Sequence, residues 1–444
     1  MLSPSRPKET LSTVDAASIV VGVVVGIGIF KTPSIVAASA DSEGMLMLFW
    51  LLGGAASFIG ALCYAELTST YPHAGGEYHY LNQAFGDVPA FLFAWARMAV
   101  IQTGSIAMVA FLIGDYASEV LRLGPYSTSF YAALTIVVLT AVNVAGIEQG
   151  KWTQRVLVAA IVLGLLIVAA VGFFLAAPQN VSQSGNILPG RAALGTAMIF
   201  VLLTYGGWNE AAFLSAEVRS ARRNMVRVLL YSIGAVTMIY LLVNLALLKS
   251  LGLSGMAGSE AVVADLIRSV FGPEGAHFIS VLILTAALST INAAIITGAR
   301  TSYAMGQDHS LFGFLGRWHK DRSTPVNALL LQGAIALLLV FLGMSARDGF
   351  VMMVEYTAPV FWFFLFMVGI SIFLLRRRNP TVPRPFSVPL YPVTPLLFCS
   401  ICAFMLHSSL LYTSMGAFVG VGVLLTGVPL IILQKRTDRR NSVQ

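Results

Sequence analysis

Charge is what this chain has least of. Of 444 residues only 11% are Asp, Glu, Lys or Arg, against about 25% in a soluble protein. Hydrophobic residues make up 57% and the mean hydropathy is +0.81, which excludes soluble multidomain, disordered and collagen-like classes. Three cysteines cannot build a secreted disulfide framework. Cys399 and Cys402 form a C-x-x-C, but inside an apolar run with no further ligands nearby, so they read as two small residues on one helix face. Six scattered histidines supply no H-E-x-x-H or other catalytic constellation, and no repeated filter or charge ring suggests a channel. A bilayer is the solvent that suits such a composition.

What is present is a series of long apolar runs. Twelve are long enough to cross a membrane as helices: 14–38, 46–70, 90–118, 127–147, 156–176, 192–216, 228–248, 276–304, 326–344, 350–375, 393–413 and 415–433. They are continuous rather than alternating, which excludes barrel strands. The first is too long for a signal-peptide core and lacks a cleavage site, so it reads as an uncleaved span. Although the net charge is +7, its cations cluster between runs: Arg219/Arg222/Arg223/Arg227, Arg317/Lys320/Arg322, Arg376/Arg377/Arg378/Arg384 and Lys435/Arg436/Arg439/Arg440. These clusters follow even-numbered spans, and Arg6 and Lys8 precede the first. The pattern predicts a plasma (bacterial inner) membrane protein with both termini in the cytoplasm.

Spans 1 and 6 share an interruption. Span 1 carries Gly22, then Val25-Gly26-Ile27-Gly28-Ile29-Phe30 and Pro33; span 6 carries Tyr205-Gly206-Gly207-Trp208-Asn209. Glycines at mid-membrane favour unwinding, and unwound backbone is tolerated only against protein or a water-filled cavity. The two interruptions lie five spans apart. Five is odd, so the second half of a ten-span unit inserts upside down, as in inverted-repeat transporters with a midplane site. Amides at a half-helix N-terminus favour a carboxylate. Carbonyls at the opposing end favour an ammonium. Such a site suits a zwitterion without any charged side chain.

These residues resemble the amino acid–polyamine–organocation (APC) transporter superfamily, in its amino acid permease branch, similar to the L-type amino acid transporters. The likeness is carried by Gly26-Ile27-Gly28-Ile29-Phe30; by Tyr64-Ala65-Glu66-Leu67 with Tyr71-Pro72-His73-Ala74-Gly75-Gly76-Glu77-Tyr78; by Tyr205-Gly206-Gly207-Trp208-Asn209-Glu210; and by Leu288-Ser289-Thr290-Ile291-Asn292 with Gly298-Ala299-Arg300. It implies an all-α, LeuT-type 5+5 inverted repeat of about twelve helices. The cytoplasmic N-terminus is 1–13, the two repeats are 14–176 and 192–375, two extra helices occupy 393–433, and the tail is 434–444. It implies further that amides around Gly26, Ile27, Gly28 and Ile29 hold a carboxylate, and that carbonyls of Val24 and Tyr205–Gly206 hold an ammonium. Ile101, Ser105 and Trp208 would shape the side-chain pocket, with room left by Gly206 and Gly207.

The chain departs from the family pattern twice. Ile27 replaces a hydroxyl residue, and the fifth-span lysine that stands in for sodium in many relatives falls, by counting, at Ile161. Ser289 and Thr290 are then candidates for a sodium site, and Glu210 for a proton. Glu66, Glu217 and Arg300 form a candidate inner gate in which Arg300 pairs with one of the carboxylates. Arg97 needs a partner that the sequence does not name. The expected function is secondary transport, as permease or exchanger, of a neutral or hydrophobic α-amino acid. A polyamine or cationic amino acid is the alternative cargo, and a non-transporting receptor or membrane enzyme the alternative class. No cofactor is expected beyond a coupling H+ or Na+. With no cysteine in an outer loop, no disulfide-linked accessory chain is expected.

Overall fold

The computed structural model describes residues 9–176, 191–259, 261–344, 349–412 and 415–441. The loop 177–190, the basic pair Arg6 and Lys8 and the last three residues of the tail lie outside it. The described residues are all-α. Ten helices are long and apolar enough to cross a membrane, and the bent pair Thr13–Val24 and Gly28–Ala38 makes an eleventh. In the region of the expected twelfth span, helices Met415–Leu425 and Gly427–Asn441 meet at Thr426, and Phe418–Gln434 forms an apolar helix.

Span 1 opens on a capping box: Ser12 accepts from the Asp15 amide while Asp15 accepts from the Ser12 amide. Leu11, just before it, exchanges backbone hydrogen bonds with Glu217 and Arg219 (both 2.9 Å), which ties the entry of span 1 to the exit of span 6. Span 2 (Glu43–Thr70) lies along span 7 (Ala221–Ala257). Between spans 2 and 3 the chain makes a short helix, Glu77–Phe85, outside the spanning set. Span 3 (Asp87–Ser118) contains a π turn at Arg97–Ile101, a local widening common at functional sites. Spans 1, 5 (Ile147–Phe174), 7 and 8 (Glu274–Asp308) pack on one another around the interruption of span 1.

Glu66, near the end of span 2, anchors the loop between span 10 (Gly349–Arg378) and span 11 (Val393–Tyr412). Its carboxylate accepts from Arg376 Nε (2.8 Å) and Nη2 (2.5 Å) and from the Val388 amide (2.7 Å), and Arg384 Nε stands at 3.4 Å. Arg376 in turn lies over the Tyr391 ring at 3.9 Å. The loop 379–392, rich in proline and unable to be helical throughout, is thereby folded onto span 2. Replacing Glu66 by Ala removes a charge-assisted acceptor worth about 1.5–3 kcal/mol. Hydrogen exchange at the Val388 amide is expected to rise at least about tenfold, measured by mass spectrometry on detergent-solubilised protein.

Candidate functional site

Both interruptions are real breaks. Helix Thr13–Val24 ends in a tight turn, with the Gly26 amide donating to Val24 O at 2.8 Å, and the chain resumes as Gly28–Ala38 bent by 46°. Span 6 runs Arg191–Thr204, turns through Tyr205, Gly206 and Gly207, and resumes as a 3-10 helix at Trp208–Leu214. Gly207 has φ +105°, the left-handed region, and a side chain there would approach Val23 Cγ1 to 2.5 Å. Only glycine combines that turn with that approach of the two breaks.

At the breaks, Gly26, Ile27, Gly28, Gly206 and Gly207 are half-buried, while Val24, Ile29, Tyr205 and Trp208 are buried. The amides of Ile27, Gly28 and Ile29 head the second half of span 1, where a helix has no intrahelical acceptors to offer. Facing them are the carbonyl ends of two half-helices. The hydroxyl of Tyr240, buried on span 7, donates to Val24 O at 2.9 Å and to Thr204 O at 3.2 Å. Tyr240 was absent from the sequence expectations. A lone tyrosine in an apolar run carries no signal until its hydroxyl is seen between two helix ends. Thr204 also donates to Thr32 Oγ1 at 2.8 Å, fastening the second half of span 1 to span 6.

The side-chain expectations fare unevenly. Trp208 packs edge-on to Tyr64 (5.1 Å) and tilted against Phe398 (6.0 Å). Its ring stands where a Cβ on Gly60 would go. The crevice it lines with Gly206, Gly207, Phe361, Trp362 and Cys402 contains no residue of span 1. Trp208 therefore stands beside the second break and packs toward spans 2, 10 and 11. Ile101 is buried and Ser105 half-buried on span 3, with the Ser105 hydroxyl donating to Ile101 O at 2.8 Å, and neither lines that crevice.

At the junction of spans 1, 5 and 8, Ser289 accepts from Gln154 Nε2 at 2.9 Å and Thr290 donates to Gly22 O at 3.1 Å. Asn292 donates to Gln154 Oε1 at 2.9 Å. Gln154 Nε2 and Ser289 Oγ occupy the place where a Cβ on Gly22 would stand, so Gly22 is a close-approach residue. The fifth-span side chain that reaches this junction is thus Gln154, two turns before the expected Ile161, which is buried among apolar residues.

Charges come together as pairs. Arg300 grips Glu217 through Nε (2.5 Å) and Nη2 (2.9 Å), both side chains about 1% exposed, and also donates to Ile296 O. Of the two carboxylates offered to Arg300 by the sequence, Glu217 is the partner. Glu66 is not, because Arg376 and Arg384 hold it. Arg97 finds Glu210 at 2.5 Å and lies over the Phe213 ring at 3.8 Å. Glu210 is therefore the acceptor of a guanidinium rather than of backbone amides. Glu77 was quoted only as part of a motif, yet it is 3% exposed and accepts from Tyr64 Oη and, at 2.9 Å, from Asn209 Nδ2.

Breaking a buried pair by removing one partner costs about 3–5 kcal/mol, whereas replacing both by apolar residues of similar size is close to neutral. Glu217→Ala alone is expected to lose that much in thermal denaturation. The double change Glu217→Leu with Arg300→Met should recover most of it.

A family model described as amino acid permease matches residues 11–433. The large neutral amino acids transporter small subunit 2 of Mus musculus is 28% identical, with 96% of this chain and 81% of that protein covered. The b(0,+)-type amino acid transporter 1 of Mus musculus is 29% identical over 88% and 80%. The Asc-type amino acid transporter 1 of Mus musculus is 26% identical over 96% and 81%.

Proposed function

The chain belongs to the amino acid permease family and is a multi-pass membrane transporter of amino acids; on that premise we propose that its cargo is a neutral or hydrophobic α-amino acid, moved by alternating access. The observation that supports this most is the pairing of open polar backbone at the two breaks. Unpartnered amides at Ile27–Ile29 suit a carboxylate. The carbonyls of Val24 and Thr204, bridged by Tyr240, suit an ammonium. Among the described residues, neither Val25–Ile27 nor Tyr205–Gly207 includes a charged side chain. Glu210, the acid that would have kept a cationic cargo in play, is committed to Arg97. That favours a neutral cargo over a polyamine.

On this reading 14–176 and 192–375 are two five-helix units related by inversion, each opened by a broken helix. The basic clusters place both termini in the cytoplasm of a cell bounded by this plasma membrane. The Arg300–Glu217 pair and the Leu11 bridge then close the cytoplasmic side. Although one relative's name calls it a small subunit, we infer no disulfide-tethered companion for this chain. Its three cysteines are buried, Cys63 on span 2 and Cys399 and Cys402 on span 11.

Two measurements check this reading. In a thermal-shift screen of purified protein, neutral amino acids at about 100 Kd should stabilise by about 2.7 kcal/mol, with polyamines inert, and the same amino acids should drive counterflow in liposomes. The reverse ranking would reassign the cargo. Replacement of sodium by choline is expected to leave uptake unchanged, because a neutral amide, Gln154 Nε2, already engages Ser289 where a cation would sit. Uptake that collapses in choline would restore Ser289 and Thr290 as a sodium site.

A further inference from the structure

We propose that Glu77 is a proton-binding site, placed so that taking up a proton loosens the segment that begins at Trp208. The site does not depend on the function proposed above; its consequence for transport does.

The argument starts from a count of charges in one buried cluster. Arg97 of span 3 faces two carboxylates, Glu210 of span 6 and Glu77 at the start of the helix Glu77–Phe85. Glu210 makes the direct contact with the guanidinium. The other titratable groups facing Glu77 are Tyr64 from span 2, Tyr80 from its own helix and Cys402 from span 11. All three are neutral at ordinary pH. From span 8, Asp308 engages the next residue, Tyr78, at 2.7 Å. From span 10, Arg378 donates to Gln83 O at the far end of the helix. With both acids ionised the cluster holds one negative charge in excess, out of water. Burial of an unmatched charge is what drives a group to neutralise.

Glu77 is the acid that takes the proton, because Glu210 has the guanidinium in contact and Glu77 does not. Burial raises the Glu77 carboxyl most, Arg97 and the hydrogen bonds from Tyr64 and Asn209 pull it down, Glu210 pushes it up again, and the balance stands at about 7. Tyr64 and Asn209 both donate to Oε1, which leaves Oε2 to carry the proton.

The consequence runs through Asn209. As a carboxylate, Glu77 holds Asn209 Nδ2 by a charge-assisted hydrogen bond, roughly twice as strong as the neutral one left after protonation. Asn209 follows Trp208 in the first turn after the Gly207 break. The proton therefore changes how firmly the helix Glu77–Phe85 grips the resumed half of span 6. Protons enter from water and return to it, and no covalent bond is made.

Infrared spectroscopy of the full-length protein in liposomes, titrated from acid to alkaline, reads the site directly. A protonated-carboxyl band should disappear with a midpoint near 7. It should be missing in Glu77→Gln and shifted to lower pH in Glu210→Gln, where Arg97 is released toward Glu77. Persistence of the band in Glu77→Gln, or no such band in the unmodified protein, overturns the proposal. Stability supplies a second readout that needs no variant to be active. Between the ordinary carboxyl value of 4.5 and about 7, the folded chain binds a proton that the unfolded chain does not. The melting temperature should therefore fall as pH rises through that window, and Glu77→Gln should flatten the fall. Counterflow in the same liposomes separates the two readings. If the band titrates as stated but no amino acid is carried at any pH, the transport function fails and the proton site stands. If Glu77→Gln carries amino acids with the pH profile of the unmodified protein, the link to span 6 is refuted.

Discussion

A peptide group released from a helix inside a bilayer has no water to turn to, and each unmet N–H or C=O there costs several kcal/mol. This protein releases peptide groups twice, at Val25–Ile27 and at Tyr205–Gly207, and much of its interior is arranged around that fact. Gly207 adopts a left-handed turn so that the two breaks can touch through Val23. Tyr240 is held on span 7 with its hydroxyl between the carbonyl ends Val24 and Thr204. Thr204 then secures Thr32 across the gap. Val24 O accepts from the Gly26 amide as well, and the Ile27–Ile29 amides are left open. Under the proposed function, a guest bearing both a carboxylate and an ammonium completes the arrangement.

The buried ionic groups follow a second rule, that each must meet an opposite charge. Arg300 of span 8 with Glu217, just after span 6, and Arg376 of span 10 with Glu66 of span 2 obey it in full, and both pairs join distant parts of the chain. Arg97 serves two acids, and the imbalance sits beside the resumed half of span 6 rather than at the periphery. A matched pair resists change with pH near neutrality, whereas a cluster with an odd acid does not. The position of the odd acid, one hydrogen bond from Asn209, makes it a control point rather than a fastening.

The spans and the breaks were legible in the sequence because each is a local property. Apolar length declares a span, and Gly26-Ile27-Gly28 or Gly206-Gly207 in mid-run declares an unwinding. Partnerships were not legible, because they join residues far apart in the chain: Arg97 with Glu210, Glu66 with Arg376, Tyr240 with Val24. The contact of Gln154 with Ser289 was not legible for the same reason. A helical register gives a face, but which turn meets Ser289 depends on how spans 1, 5 and 8 cross. The packing of Trp208 against Tyr64 and Phe398 was not legible either, because it depends on the 3-10 turn after Gly207.

The two rules meet in the segment Trp208–Leu214. Its 3-10 winding offers poorer hydrogen bonds than an α-helix, so its position depends on side-chain contacts: Asn209 to Glu77, Glu210 to Arg97, Phe213 under the guanidinium. The opposite half of span 6 is held to span 1 by Thr204 and to span 7 by Tyr240. Span 6 is thus fixed by backbone at one end and by ionisable side chains at the other, with Gly206 and Gly207 between them as the joint. On the functions proposed, a zwitterion acts on the first set of contacts and a proton on the second. Because both sets bear on one short hinge, occupancy of the backbone site and protonation of the cluster can influence one another without touching, as linkage between two sites on a shared two-state element requires.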